Sequence, residues 1–255
     1  MNIQDTRALV TGGASGLGLA VAEMIVAAGG KAALVDVNDA AGAEAVRKLG
    51  PNASFHKTDV TSESDVAATV AAAAAAMGGL TLAVNCAGVG WPKRMLGKEG
   101  TMPGEFFRKV IEINLIGTLL VCKEAAAVMQ KNAPNAAGER GALVMTASVA
   151  AYDGQIGQVA YAASKGGVVG MTLPMARELA SSGIRVMTIA PGIFMTPMLA
   201  ALPQEARDSL GKQVPFPPRL GDPSEYAMLV RQIVENPMLN GETIRLDGAI
   251  RMAPR

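Results

Sequence analysis

Ser148, Tyr161 and Lys165, in the run SVAAYDGQIGQVAYAASK, are the side chains whose types and spacing could do chemistry. On a helix, Tyr161 and Lys165 stand at i and i+4 and share one face. A phenol is a poor base near neutrality, because its unperturbed pKa is about 10. A lysine ammonium one turn away favours the phenolate, and a second bound cation would add to the effect. Bringing the phenol down to about 7 takes about 4 kcal/mol of differential interaction, within reach of two cations in a partly dry cleft. Ser148 adds a neutral hydroxyl able to hold a substrate oxygen. The trio is a proton-transfer device that needs no histidine. Alone, a YxxxK spacing is also what a surface tyrosine and lysine would show, so its weight comes from the rest of the chain.

Such a device needs a rigid scaffold, and short apolar runs alternating with helical stretches supply one. Candidate strands lie at 8–11, 32–36, 53–59, 80–85, 141–147, 184–190 and 242–247. This βαβ rhythm predicts an α/β fold: a single doubly wound Rossmann-type domain over 1–255, with a seven-stranded parallel sheet flanked by helices. The Ala-rich stretch 67–76 reads as a helix, with Ser62 placed to cap it and Gly78 to end it. Two segments break the rhythm, at 91–104 and 194–220. Both leave the carboxyl ends of strands, where open α/β sheets bind ligands, and they are the expected substrate loops. Met195, Met198, Leu199, Leu202 and Phe216 would give the second an apolar wall, or simply pack. Lys93, Arg94 and Lys98 in the first could meet phosphates or stay solvated.

Composition narrows the function further. The 23 Lys+Arg nearly cancel the 22 Asp+Glu, so no global field points to nucleic acid or an anionic membrane. The chain is 50% hydrophobic but only 4% aromatic, the aliphatic mixture that suits parallel strands covered by helices. Cys86 and Cys122 lie in apolar segments and read as reduced thiols. The single His56 rules out a site with several histidine ligands, CxxC pairs are absent and no metal is expected. The chain has no GxSxG elbow to support a serine-hydrolase reading. The amino-terminal residues enter a strand without a leader-like stretch, and no apolar run has membrane-spanning length; a soluble cytoplasmic protein is expected.

The first strand runs into TGGASGLG, which carries Gly12, Ser15, Gly16, Leu17 and Gly18 and opens a helix. Glycines there let backbone amides approach a pyrophosphate, and the helix start adds partial positive charge. Asp36 closes the second strand, where a carboxylate can accept both hydroxyls of an adenosine ribose and repel a 2′-phosphate. No basic residue flanks it in DVND, so NAD is expected over NADP, although a strand-end cap would also explain Asp36. Asp59 and Val60, at the end of the third strand, could contact adenine. Asn85, Ala87 and Gly88 of NCAG end the fourth, where small residues admit a flat cofactor; a structural turn explains NCAG equally well.

With TGGASGLG, NCAG, Ser148, YAASK and the pair Pro191–Gly192 in order, the chain resembles the short-chain dehydrogenase/reductase family over essentially its whole length. The resemblance implies that Tyr161 is the general acid/base, that Lys165 holds the nicotinamide ribose and that Ser148 orients substrate. It also implies that Asn114, in IEINLIG, bends a helix to hold a relay water and that Thr196 contacts the nicotinamide carboxamide. Pro191 and Gly192 join the cofactor set. The runs MTASVAAYDGQIGQVAYAASK and NPMLNGETIRLDGAIRM look like the type-2 3-hydroxyacyl-CoA dehydrogenase subgroup. That subgroup implies NAD-dependent interconversion of 3-hydroxyacyl-CoA and 3-oxoacyl-CoA in fatty acid metabolism, by a homotetramer. The alternatives are a 3-oxoacyl-carrier-protein reductase, a hydroxysteroid dehydrogenase or, in another class, a non-catalytic dinucleotide-binding scaffold subunit.

Overall fold

The computed structural model describes residues 1–98, 100–200 and 203–254. Strand and helix alternate from the start: β1 (Arg7–Thr11), α1 (Gly16–Ala27), β2 (Lys31–Asp36), α2 (Asp39–Leu49), β3 (Ala53–Lys57), α3 (Glu63–Met77) and β4 (Leu82–Asn85). A two-residue hairpin follows, β5 (Leu96–Gly97) with β6 (Gly100–Thr101), then α4 (Gly104–Ile111), a π-helical turn at Glu112–Ile116 and α5 (Gly117–Met129). The chain continues as β7 (Gly141–Thr146), α6 (Val159–Leu179), β8 (Ile184–Pro191), α7 (Pro197–Ala200), α8 (Gln204–Gly211), α9 (Pro223–Glu235) and β9 (Thr243–Leu246).

All seven long strands join one parallel sheet in the order β3-β2-β1-β4-β7-β8-β9. The order reverses direction between β1 and β4, which opens a crevice at their carboxyl ends. Because strand side chains alternate, Leu9, Ala83 and Leu143 pack beneath α3, α5 and α6, while Val10, Val84 and Val144 pack against α1 and α9 on the other face. Each face thus buries its own apolar layer. Among the described residues, no helix is long and apolar enough to cross a membrane.

Local chemistry places the helix ends. Ser62 accepts the Asp65 amide at the start of α3, and Gly78 ends that helix in the left-handed region, as its sequence predicts. Asp222 and Glu225 form a reciprocal capping box on α9. At the far end of α9, Arg185 of β8 donates to the carbonyls of Ile233 and Val234 at 2.8 and 3.1 Å, filling acceptors that the helix cannot. Glu139 neutralises this buried guanidinium at 2.7 Å. Burial alone would raise the Glu139 carboxyl, but bonds from the Met1 amine, Asn135 and Arg185 hold it down at about 2. Glu139→Ala, which strands the Arg185 charge, should cost about 3 to 5 kcal/mol in urea unfolding. Since the pKa is depressed, the stability Glu139 supplies is present above the ordinary carboxylate range and is lost as pH falls toward 2.

Three expectations need correction. The third strand stops at Lys57 rather than 59, because the Asp59 carboxylate takes the Thr61 amide at 2.9 Å and its hydroxyl at 2.8 Å, turning the chain. Asp59 and Val60 therefore sit in the loop beyond it. Segment 91–104 is not wholly irregular, for Gly100 at φ 110° allows the β5–β6 turn. Segment 194–220 contains α7 and α8, each begun at a proline or just after one. Leu202 and the side chain of Met198 lie outside what the structure describes, while Phe216 is 79% exposed and covers nothing.

Candidate active site

A groove of about 580 Å³ runs across the sheet's crest at the β1–β4 reversal, lined by Gly12, Ser15, Gly16, Leu17, Gly18, Asp36, Asp59, Val60, Ala87, Gly88 and Thr196. Its floor requires glycine. Gly12 and Gly16 have φ of 62° and 53°, and a Cβ on Gly12 would come within 2.9 Å of the Ala87 nitrogen. A Cβ on Gly18 would lie 2.3 Å from the Gly12 carbonyl oxygen, so only glycine lets α1 start so close to the turn. Ser15 makes no side-chain capping bond, leaving the first amides of this twelve-residue helix to face the groove. Those amides suit a pyrophosphate. Asp36 holds its carboxylate at the groove's end by accepting the Asn38 amide at 3.0 Å and the Ala14 amide at 3.3 Å. The residues present fit a dinucleotide.

Beyond Gly88 the groove meets the proton-transfer residues. A methyl on Gly88 would lie 3.1 Å from Asn114 Oδ1 and 3.6 Å from Lys165 Nζ. Asn114 occupies the π-helical turn, a distortion often found at functional sites, and its own carbonyl accepts the Thr118 hydroxyl at 2.8 Å. Its side chain clamps Val89 from both sides, accepting that residue's amide at 2.8 Å and donating to its carbonyl at 2.9 Å. It also donates to Ser164 Oγ at 3.0 Å, which in turn donates to the Tyr161 carbonyl at 2.7 Å. The turn of α6 that bears Tyr161 and Lys165 is thereby locked to the end of β4. Ser148 ends the β7 loop and caps a short 3₁₀ turn, accepting the Ala150 amide at 3.1 Å.

The expected lowering of the Tyr161 phenol is not produced by the chain's own groups. Burial pushes the phenol up, and the Ser148 hydroxyl draws it part of the way back. Burial also pushes Lys165 down to about 8, and its Nζ donates to the Thr146 carbonyl at 2.7 Å while standing 5.9 Å from the Tyr161 ring centre. Desolvation is the dominant cause of both shifts.

Asn85 departs from its expected place. It shares a strand face with Ala83, so its buried side chain turns toward α5, donates to Cys122 Sγ at 3.3 Å and does not line the groove. Pro191 and Gly192 are not among the residues that line the groove: Gly192 donates to the Leu246 carbonyl at 2.9 Å and packs on Asp247. The sequence reading missed Thr58, Cys86, Trp91, Lys109 and Ile113, which also line the groove. Lys109 and Ile113 are i and i+4 on one helical path, a spacing that would have signalled a shared face. Thr146 and Ser164, which hold Lys165 and Tyr161, carried no such signal.

The profile of the short chain dehydrogenases matches residues 6–207. The chain belongs to the short-chain dehydrogenase family. As a member it is an oxidoreductase that works with a nicotinamide dinucleotide. The 3-hydroxyacyl-CoA dehydrogenase type-2 of Homo sapiens is 54% identical over 255 residues, covering 99% of this chain and 98% of that protein. The protein of the same description from Drosophila melanogaster is 53% identical, covering 99% and 100%. A crystal structure of 3-hydroxyacyl-CoA dehydrogenase type-2 from Mycobacterium avium superposes with a TM-score of 0.93 at 43% identity, covering 97% of this short-chain dehydrogenase and 96% of that chain.

Proposed function

We propose that this short-chain dehydrogenase interconverts 3-hydroxyacyl-CoA and 3-oxoacyl-CoA with NAD, as part of fatty acid metabolism. The observation that carries the reading is the locked turn of α6, which sets Tyr161 and Lys165 side by side where a dinucleotide-sized groove ends. Full-length relatives that bear the dehydrogenase's name support the substrate class. In the oxidising direction Tyr161 Oη takes the proton of the substrate hydroxyl, and Ser148 Oγ holds the same oxygen as it becomes a carbonyl. Lys165, anchored on Thr146, keeps a positive charge near the phenol and stands ready to pass the proton on. A nicotinamide dinucleotide held by Lys165 and Thr196 would supply the hydride acceptor and a further positive charge near the phenol. The main-chain bend at Asn114 would hold the relay water, and Thr196 the carboxamide. Segments 91–104 and 194–220 form the substrate walls.

Asp36 supports NAD over its phosphorylated relative, since a carboxylate at the ribose would face a 2′-phosphate. Reduction of a 3-oxoacyl-CoA should be about a hundredfold more efficient with NADH than with NADPH. Steady-state kinetics with both cofactors checks this, and a preference for NADPH with a carrier-protein thioester would favour the carrier-protein reductase instead. The same reading has the enzyme acting as a homotetramer in the cytoplasm. Light scattering that gave a monomer would remove the oligomeric part.

A further inference from the structure

The stretch between Ser148 and Tyr161 is tied to the rest of the molecule by a cluster that takes no part in the chemistry described above. Arg245 of β9 donates from Nε to Asp247 at 2.7 Å and from Nη2 to Asp153 at 2.6 Å, and the same Nη2 reaches the Ile250 carbonyl at 2.9 Å. Its guanidinium also lies 5.2 Å from the Tyr152 ring centre. The three charged side chains are 8 to 21% exposed, so the bonds form in a partly dry setting where they hold position better than surface pairs do.

Each carboxylate belongs to a different wall. Asp153 begins a segment whose Gly157 carbonyl accepts the Lys93 amide at 2.8 Å, fixing the base of 91–104. Asp247 packs on Gly192, and the next residue, Gly248, accepts the Phe216 amide at 3.2 Å, fixing the end of 194–220. The Asp153 segment also gains a bond from the Ile156 amide to the Pro254 carbonyl at 3.0 Å. Arg245 is the side chain that bonds both carboxylates at once, and the bonds of Gln155 to the Ala253 carbonyl and of Ile156 to the Pro254 carbonyl run alongside it. Tyr161, Lys165 and Asn114 are held separately, by bonds that do not pass through it.

We infer that Arg245 is a positioning residue: by bonding Asp153 and Asp247 together, it sets the separation of segments 91–104 and 194–220 and so the width of the acyl-CoA mouth. This inference rests on the proposed substrate, but its structural part can be read without substrate. Arg245→Gln and the milder Asp153→Asn, made singly and together, test it by hydrogen exchange and by kinetics. Both single variants should speed exchange at the Lys93 and Ile156 amides, leaving the α6 amides unchanged, and the double variant should add little to either. The KM for a 3-oxoacyl-CoA should rise about tenfold, with kcat and the NADH dissociation constant within about twofold of wild type. Unchanged exchange at Lys93, strictly additive effects, or a fall in kcat together with lost NADH binding would each overturn the inference. A wild-type enzyme that fails to turn over 3-oxoacyl-CoA would refute the proposed substrate, while exchange at Lys93 would still decide the coupling.

Discussion

Tyr161→Phe is expected to lower turnover by about a thousandfold in either direction, because it deletes the one oxygen placed to carry the substrate's proton. The ring stays, and with it the packing on α6. The main-chain carbonyl of Tyr161 still accepts the Ser164 hydroxyl, so the lock through Asn114 is untouched. NADH affinity should therefore stay within about twofold of wild type, as should the denaturation midpoint. Burial raises the phenol in the native chain, so removing the hydroxyl also removes a desolvated polar group at little cost to folding. Stopped-flow turnover and NADH fluorescence titration measure the two quantities on one preparation. A variant that kept about a tenth of wild-type turnover would exclude Tyr161 as the acid/base.

Much of the scaffold and the groove was legible because both depend on local rules. The strands are written as apolar runs bounded by Gly, Asp or Asn, and the glycine turn is demanded by contacts as short as that of Gly18 on Gly12. Asp36 was legible because a carboxylate that closes the second strand of an open α/β sheet stands where such sheets bind ligands, and the groove's lining includes it. Asn85 was not, since which face of β4 it takes depends on register with β1 and β7, and one position decides between groove and core. The support for the chemistry was hidden for a related reason. Thr146, Ser164 and Arg245 act through atoms 19, 50 and 92 positions away in sequence, and no spacing rule reaches that far. That the chain's own groups leave the phenol raised was not legible, because spacing conveys an ion's proximity but not the desolvation around it.

Lys165→Met separates the charge of that residue from its bulk. The methionine side chain fills similar space, but no donor reaches the Thr146 carbonyl and no cation opposes the burial of Tyr161. Turnover at pH 7 should fall by about a hundredfold or more, and the rise of the oxidation rate with pH should move to higher pH, since the phenolate must now form without help. A loss of folding would also abolish activity, so stability has to be followed alongside. Burial depresses Lys165 from 10.5 to about 8. Between those values the unfolded chain binds a proton that the folded chain has released, so this residue makes wild-type stability rise with pH across that window. In Lys165→Met that rise should be absent, while the stability near pH 7 is kept or increased, because a buried ammonium no longer has to be desolvated. An inactive variant with this flattened stability profile assigns the loss to the missing charge. Full turnover with an unmoved pH profile would show that Tyr161 is poised by something other than the amine one turn below it.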